Sequence, residues 1–338
     1  MDILIEKIKK IYKKYNIVFN IIGFILLLLI PVVFNKRYIM GIVCRILLYV
    51  ILAGALNVIN GYSNQFCIGF AAFYCIGSYT EAILSVNFKI NFWILIPISG
   101  VMAAIAGLLI CLPTLNLSGK YLSIVTLGFS EIVRLIALNW SDVTGGPMGI
   151  KGIPTPTLFG FRFKDSISYY YIFLAFAILF IFITNRVIKS RIGRAWVSIR
   201  EDQVAAKSLG VEVSKYKIMN FMYGAFWAGI AGAIYAPYVR YIDSTFFTLD
   251  EGFNILSMVI IGGMGTLIGP TLGSIVVNLL TELLRPVSQY RFVAYGTLTI
   301  IMMWWRPQGL AGASNSILSG GKSKTEKPLK PKKEGVME

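Results

Sequence analysis

Apolar residues along this chain fall into long unbroken blocks, at 17–34, 39–59, 65–84, 92–112, 121–139, 169–188, 218–238, 252–284 and 292–305, with short polar stretches between them. About 20 apolar residues are what an α-helix needs to cross a hydrocarbon core of ~30 Å. The pattern therefore predicts an all-α polytopic membrane protein whose spans are these blocks. The first block is followed by Asn35-Lys36-Arg37 instead of a small-residue cleavage site, and reads as an uncleaved first span. Ahead of it, residues 1–16 interleave Ile3, Leu4, Ile8 and Ile11 with lysines, the pattern of a short basic amphipathic helix on a membrane surface.

Charge decides how the blocks are counted. The 32 Lys+Arg exceed the 16 Asp+Glu by +16, and they gather in 1–16, in 186–217 and in the tail at 322–333. Basic residues flanking spans mark the cytoplasmic side. Counting 252–284 once gives nine spans and puts the Lys-rich tail on the side opposite the N-terminus. Gly262-Gly263-Met264-Gly265 and Gly269-Pro270 interrupt that block, and Gly and Pro weaken a continuous helix. Two short helices, 252–265 and 266–284, then give about ten spans. Both termini and 194–211 are expected to be cytoplasmic, with 142–168 and 241–251 external. The predicted organisation is a basic helix at 1–16, a transmembrane domain at 17–310 with a cytoplasmic loop at 189–216, and a disordered Lys-rich tail at 311–338.

Composition narrows the classes. With 56% hydrophobic and 14% charged residues and a mean hydropathy of +0.70, against roughly 45–50% and 25% in soluble domains, a soluble enzyme is excluded. The flanking placement of the basic residues argues against nucleic acid as the reason for the net charge. Histidine is absent, and Cys44, Cys67, Cys75 and Cys111 lie in apolar blocks without Cys-x-x-Cys spacing. Neither a zinc site nor a disulfide framework is expected. Trp93, Trp140, Trp304 and Trp305 fall at span ends, as an aromatic belt requires.

A second Gly-interrupted region, Gly61 through Gln65 to Gly69 and Gly77, lies about 200 residues before the first one described. On the ten-span count the second to fifth spans run opposite to the seventh to tenth, the pattern of inverted-repeat halves with broken or re-entrant segments. Such breaks are tolerated at membrane depth only inside protein or along a cavity, so Gly61, Gln65, Gly69, Gly77, Gly262, Gly263, Gly265, Gly269 and Pro270 are candidate path residues. Gly265-x-x-x-Gly269-x-x-x-Gly273 fits close helix packing equally well. The two segments, 61–77 and 262–273, are expected to face each other, or a shared cavity, near the membrane midplane.

Charges within spans need partners. Glu131 and Arg134, three residues apart on one helix, are expected to form an intramembrane ion pair, more readily structural than ligand-binding. Glu81 and Glu282 have no local partner, and Arg45 is a candidate to pair with one of them. Gly321-Lys322-Ser323 is no phosphate loop, because Ser316 stands where the first Gly is required. If transport uses ATP, another polypeptide supplies it.

The segment Ser190 to Val211 places Ala195, Ile199, Val204, Ala205 and Leu209 among charges, which predicts one or two short amphipathic helices with Gly210 as a stop. It reads as a docking element. Ala205 and Ala206 allow close approach, Arg194 adds basic charge, and Arg200, Glu201 and Asp202 set orientation by ion pairs.

This loop, with Arg200-Glu201-Asp202-x-x-Ala205-Ala206-x-x-Leu209-Gly210-Val211, resembles the ATPase-coupling segment of bacterial ABC-importer permeases for branched-chain amino acids, of LivM type. The resemblance runs from about residue 48 to 310. It includes Leu56-Asn57-x-x-x-Gly61-Tyr62-x-x-Gln65, Gly119-x-Tyr121 to Arg134, Thr144-Gly145-Gly146-Pro147-x-Gly149-Ile150, Gly262 to Pro270 and Arg306-Pro307-x-Gly309-Leu310. Gly69-Phe70-Ala71 departs from a common Gly-His-Ala, so no role of that histidine transfers. The resemblance implies a permease subunit in a bacterial inner membrane, for leucine, isoleucine and valine. It also implies a second related permease of LivH type, two cytoplasmic ATPases that bind the ATP and Mg, and an extracytoplasmic binding protein, with no cofactor in this chain. Urea or other amino acids are the alternative cargo, and an ion-coupled secondary transporter is the alternative class. No Asp lies within a predicted span to hold a coupling ion.

Overall fold

The computed structural model describes residues 28, 31 and 36–311, other than 116, 118, 159, 160, 164, 286–290 and 307. The predicted helix at 1–16, nearly all of the first span at 17–34 and the tail beyond residue 311 lie outside the described residues. The chain runs through α1 (Arg37–Asn57), which a π-turn (Val58–Tyr62) extends, α2 (Ala71–Asn87), α3 (Phe92–Thr114) and α4 (Lys120–Asn139). After short strands β1 (Ile150–Lys151), β2 (Thr157–Leu158) and β3 (Phe161–Arg162) come α5 (Ser166–Lys189), α6 (Arg191–Glu201), α7 (Gln203–Ser208) and α8 (Val213–Val239). Strand β4 (Tyr241–Ile242), α9 (Leu249–Gly262), α10 (Gly269–Leu283) and α11 (Arg291–Trp305) complete it. β1 pairs antiparallel with β4, and β2 with β3.

The chain is an all-α polytopic membrane protein. Five helices among the described residues are long and apolar enough to cross a membrane: Arg37–Tyr62, Phe92–Thr114, Lys120–Asn139, Ser166–Lys189 and Val213–Val239. α2 and α10 are shorter than their predicted blocks. Residues 64–70 form no helix, so α2 starts at Ala71 and not at 65. The block at 252–284 divides as its glycines predict, into α9 and α10. α8 starts at Val213, so the final residues assigned to the cytoplasmic loop belong to that helix.

α8 is the axis of the fold. Its glycines let neighbours approach at backbone distance, Gly229 against Ser99 and Gly100 of α3, Gly232 against Tyr74 and Ser78 of α2, and Gly224 against Ala55 and Ile59 at the end of α1, the packing that membrane helices use in place of a hydrophobic drive. Gly77 belongs to this contact. It lies inside α2 against the backbone of Gly229, and is not a helix break as predicted. Outward, α3 exposes Val101, Met102, Ile105, Leu109 and Leu112, and α4 exposes Ile124, Ile132, Leu135 and Ile136. Such apolar stripes suit lipid or another membrane subunit.

Candidate functional site

The two Gly-broken segments meet, joined through Asn57. Its amide is buried in the last turn of α1, where it donates to the Thr266 carbonyl at 2.8 Å and accepts from the Gly265 N–H at 2.8 Å. One side chain thus satisfies two backbone groups that the break between α9 and α10 leaves without helical partners. The approach is too close for side chains: a Cβ on Gly61 would strike the Gly265 backbone, and Gly265 itself adopts φ +72°, a conformation that favours glycine.

Other opened backbone groups nearby find partners by the same kind of device, as low-dielectric surroundings demand. The π-turn at Val58–Tyr62 loosens the end of α1, and Asn220 of α8 donates to the Val58 carbonyl at 3.0 Å. Asn60 holds Cys67 at both its N–H and its carbonyl. Gln65 Nε2 reaches Ser63, Asn220 and the Lys217 carbonyl. From α4, Ser123 donates to the Phe66 carbonyl and Thr126 accepts from the Ile68 N–H at 3.2 Å. Gly69 packs directly on the Thr126 backbone, which a Cβ would overlap. On the other break, Thr266 Oγ1 donates to the Gly263 carbonyl and accepts from the Gly269 N–H. The segment after α11 closes the end of α9: Leu310 and Ala311 N–H donate to Ile261 and Gly262 carbonyls, both at 3.0 Å. Gly269 and Pro270 start α10.

Arg200 links this junction to the loop. Its Nη1 donates to the Gly61 carbonyl at 3.1 Å, while Nε and Nη2 hold the neighbouring Glu201 carboxylate. A side chain expected to point outward and orient a partner is therefore turned inward onto the break. Gly61 ends the continuous helix that starts at Arg37 and lies beside this charged loop. The junction thus sits at one end of the long helix that α1 begins.

The loop forms two short helices, as its pattern predicts, and Gly210 ends the second with φ +83°. Asp202 accepts from the N–H groups of Val204 and Ala205 through Oδ1 as the N-cap of α7. Ala206 is buried against Ile199 and Val213, so it offers no docking surface. Trp196, buried, donates to the Tyr216 carbonyl at 2.9 Å and locks α6 onto α8. Arg194 donates to the Lys189 carbonyl at the end of α5. From Glu201 to Gly210 the loop exposes every residue except Ala206, and its apolar Val204 and Leu209 are 76% and 84% accessible.

Glu131 and Arg134 form the predicted ion pair on α4, with Nε 3.0 and 3.1 Å from the two carboxylate oxygens. Asn57, Asn60, Thr126, Lys217 and Asn220 were not singled out from sequence. Their signal was available: each is a polar residue inside or beside an apolar block, and such a residue needs a partner. Among the described residues no His, Cys, Asp or Glu group has a metal-binding arrangement.

Residues 38–304 match the family model for the branched-chain amino acid transport system permease component. The chain is 39% identical over 287 residues to the high-affinity branched-chain amino acid transport system permease protein LivM of Escherichia coli K12, covering 78% of this chain and 68% of that one. It is 26% identical over 232 residues to the probable LivM of Methanocaldococcus jannaschii, covering 63% and 66%. To LivH of E. coli it is 27% identical over 142 residues, 41% of this chain and 44% of the relative. No solved structure matches it. A π-turn held by Asn220, a break held by Asn57 and a loop held by Arg200 are thus the local structure of a chain that belongs to the family of branched-chain amino acid transport system permease components.

Proposed function

We propose that this chain is one membrane permease subunit of an ATP-driven ABC importer for branched-chain amino acids. It lines the path with a second, LivH-like permease and receives force from two cytoplasmic ATPases that bind the ATP and Mg. An extracytoplasmic binding protein delivers the cargo. The chain itself carries no catalytic residue. The loop α6–α7 is the ATPase-docking element, with Ala205, Val204 and Leu209 as its apolar contact and Glu201 as its orienting charge. Both termini and this loop face the cytoplasm of a bacterial inner membrane, a reading supported by the basic residues that cluster there.

The carrying observation is the Arg200 hydrogen bond to Gly61. A loop with an exposed apolar face, tied by a charged group to a helix break, can pass a push from a docked partner into the membrane domain. The alternative cargo, urea or another amino acid, would use the same loop. Vesicles reconstituted with all four kinds of subunit are expected to take up leucine only with ATP inside the nucleotide-accessible space, in competition with isoleucine and valine. Uptake that persists without the ATPases and collapses with an ionophore would contradict the proposal in favour of an ion-coupled carrier. Leucine-insensitive uptake of urea would contradict its substrate.

A further inference from the structure

A second polar region lies at the other end of the helices that meet at the junction. An open cavity of about 280 Å³, just below the usual size of ligand sites, is lined by α1, α2, α8, α9, α10, α11 and the turn at 244–248. Its walls carry one cation, Arg45, and two carboxylates, Asp250 and Glu251, with the aromatic rings of Tyr49, Tyr74 and Tyr235 between them. Tyr49 donates to Glu251 at 2.7 Å and Asn254 Nδ2 reaches the same hydroxyl, while the buried Asn254 Oδ1 has no partner.

Arg45 is the unusual member. It lies eight residues into α1, roughly 12 Å along a helix rising 1.5 Å per residue, and forms no hydrogen bond or ion pair with the described residues. It is exposed in the cavity and not buried in protein. A charge at that depth in an apolar helix is costly without a partner or water. One cation and two carboxylates facing one small space, with an unmet amide oxygen and tyrosine rings between, match a ligand that carries charges of both signs itself.

We propose that this cavity is a transient binding site for a zwitterionic amino acid within the permease. Arg45 takes the α-carboxylate, Glu251 takes the α-ammonium beside its Tyr49 hydrogen bond, and Tyr74 and Tyr235 enclose the apolar side chain. The inference rests on the proposed import of amino acids and adds where the chain holds them. Glu251 and Asn254 start α9, which ends at the Gly262 break. Arg45 and Tyr49 lie on α1, which ends at Gly61. Two helices thus join the cavity to the junction that Arg200 touches, so a movement at the loop reaches the bound zwitterion through rigid elements.

The test uses the detergent-solubilised importer without its binding protein, after the same preparation has shown ATP-driven leucine uptake in vesicles. That control separates failure of the transport reading from failure of this one. Labelled leucine is expected to bind weakly and to be displaced by valine. Neither 3-methylbutylamine, which lacks the carboxylate, nor 4-methylpentanoate, which lacks the ammonium, should displace it at ten times the leucine concentration. Arg45→Gln and Glu251→Gln should each weaken binding at least tenfold, while Arg45→Lys keeps most of it. An uptake-active wild-type complex that binds no leucine, displacement by either single-charge analogue as good as by valine, or full binding in both Gln variants would overturn the proposal. The analogue competition stands even if a variant fails to fold.

Discussion

At the residue scale, buried amides do the work that continuous helix would otherwise do. Asn57 makes two hydrogen bonds to a segment 208 and 209 residues away, and each orphaned buried group costs about 1–3 kcal/mol. Asn57→Leu is therefore expected to lower the thermal unfolding temperature of the purified complex and to impair transport, with Asn57→Gln no adequate replacement in so tight a contact. An unchanged unfolding temperature would show that the Gly265 segment is held by other means. Gly69 has a separate steric role against Thr126. Gly69→Leu should reduce assembled protein or uptake severalfold, while Gly23→Leu in the predicted first span should not, as read by uptake normalised to membrane-inserted protein.

At the element scale, helix positions were legible in the sequence because apolar blocks and Gly interruptions fix where helices run and stop. α3, α4, α5, α9 and α10 end within a few residues of their predicted limits. The failures share one physical cause. Gly77 and Ala206 are small residues whose pattern does not say whether they break a helix, pack in a core or meet a partner, and only three-dimensional contact decides. Arg200 was singled out, but its target lies 139 residues away, beyond any local pattern. The two breaks meet although one follows α1, the first helix of its set, and the other lies between α9 and α10. Side-chain hydrogen bonds join them, not equivalent places in the chain order. The burial of Ala206 and exposure of Ala205 make a sharp contrast for the docking role. Ala205→Trp should leave the subunit in the membrane but prevent co-purification of the ATPases. Ala206→Trp should instead disrupt α6 and α7, seen as increased proteolysis of the loop. Leu209→Ser is expected to weaken ATPase retention without changing protease resistance. Retention of the ATPases by all three variants would remove the loop from the docking role.

At the scale of the whole molecule, orientation follows from charge placement. All four cysteines are buried, so an introduced one reports cleanly. Asp142→Cys is expected to react with an impermeant maleimide in intact cells, and Lys327→Cys only after lysis. The reverse pattern would invert the topology.

The central claim is that Arg200 couples the docking loop to the helix breaks. The most direct measurement is the number of leucine molecules imported per ATP hydrolysed by vesicles holding the complete importer with Arg200→Gln. The variant keeps the docking face, because Ala205, Val204 and Leu209 are untouched. The account predicts that the ATPases remain bound and hydrolyse ATP while leucine imported per ATP falls at least tenfold. A wild-type ratio in that variant would contradict it.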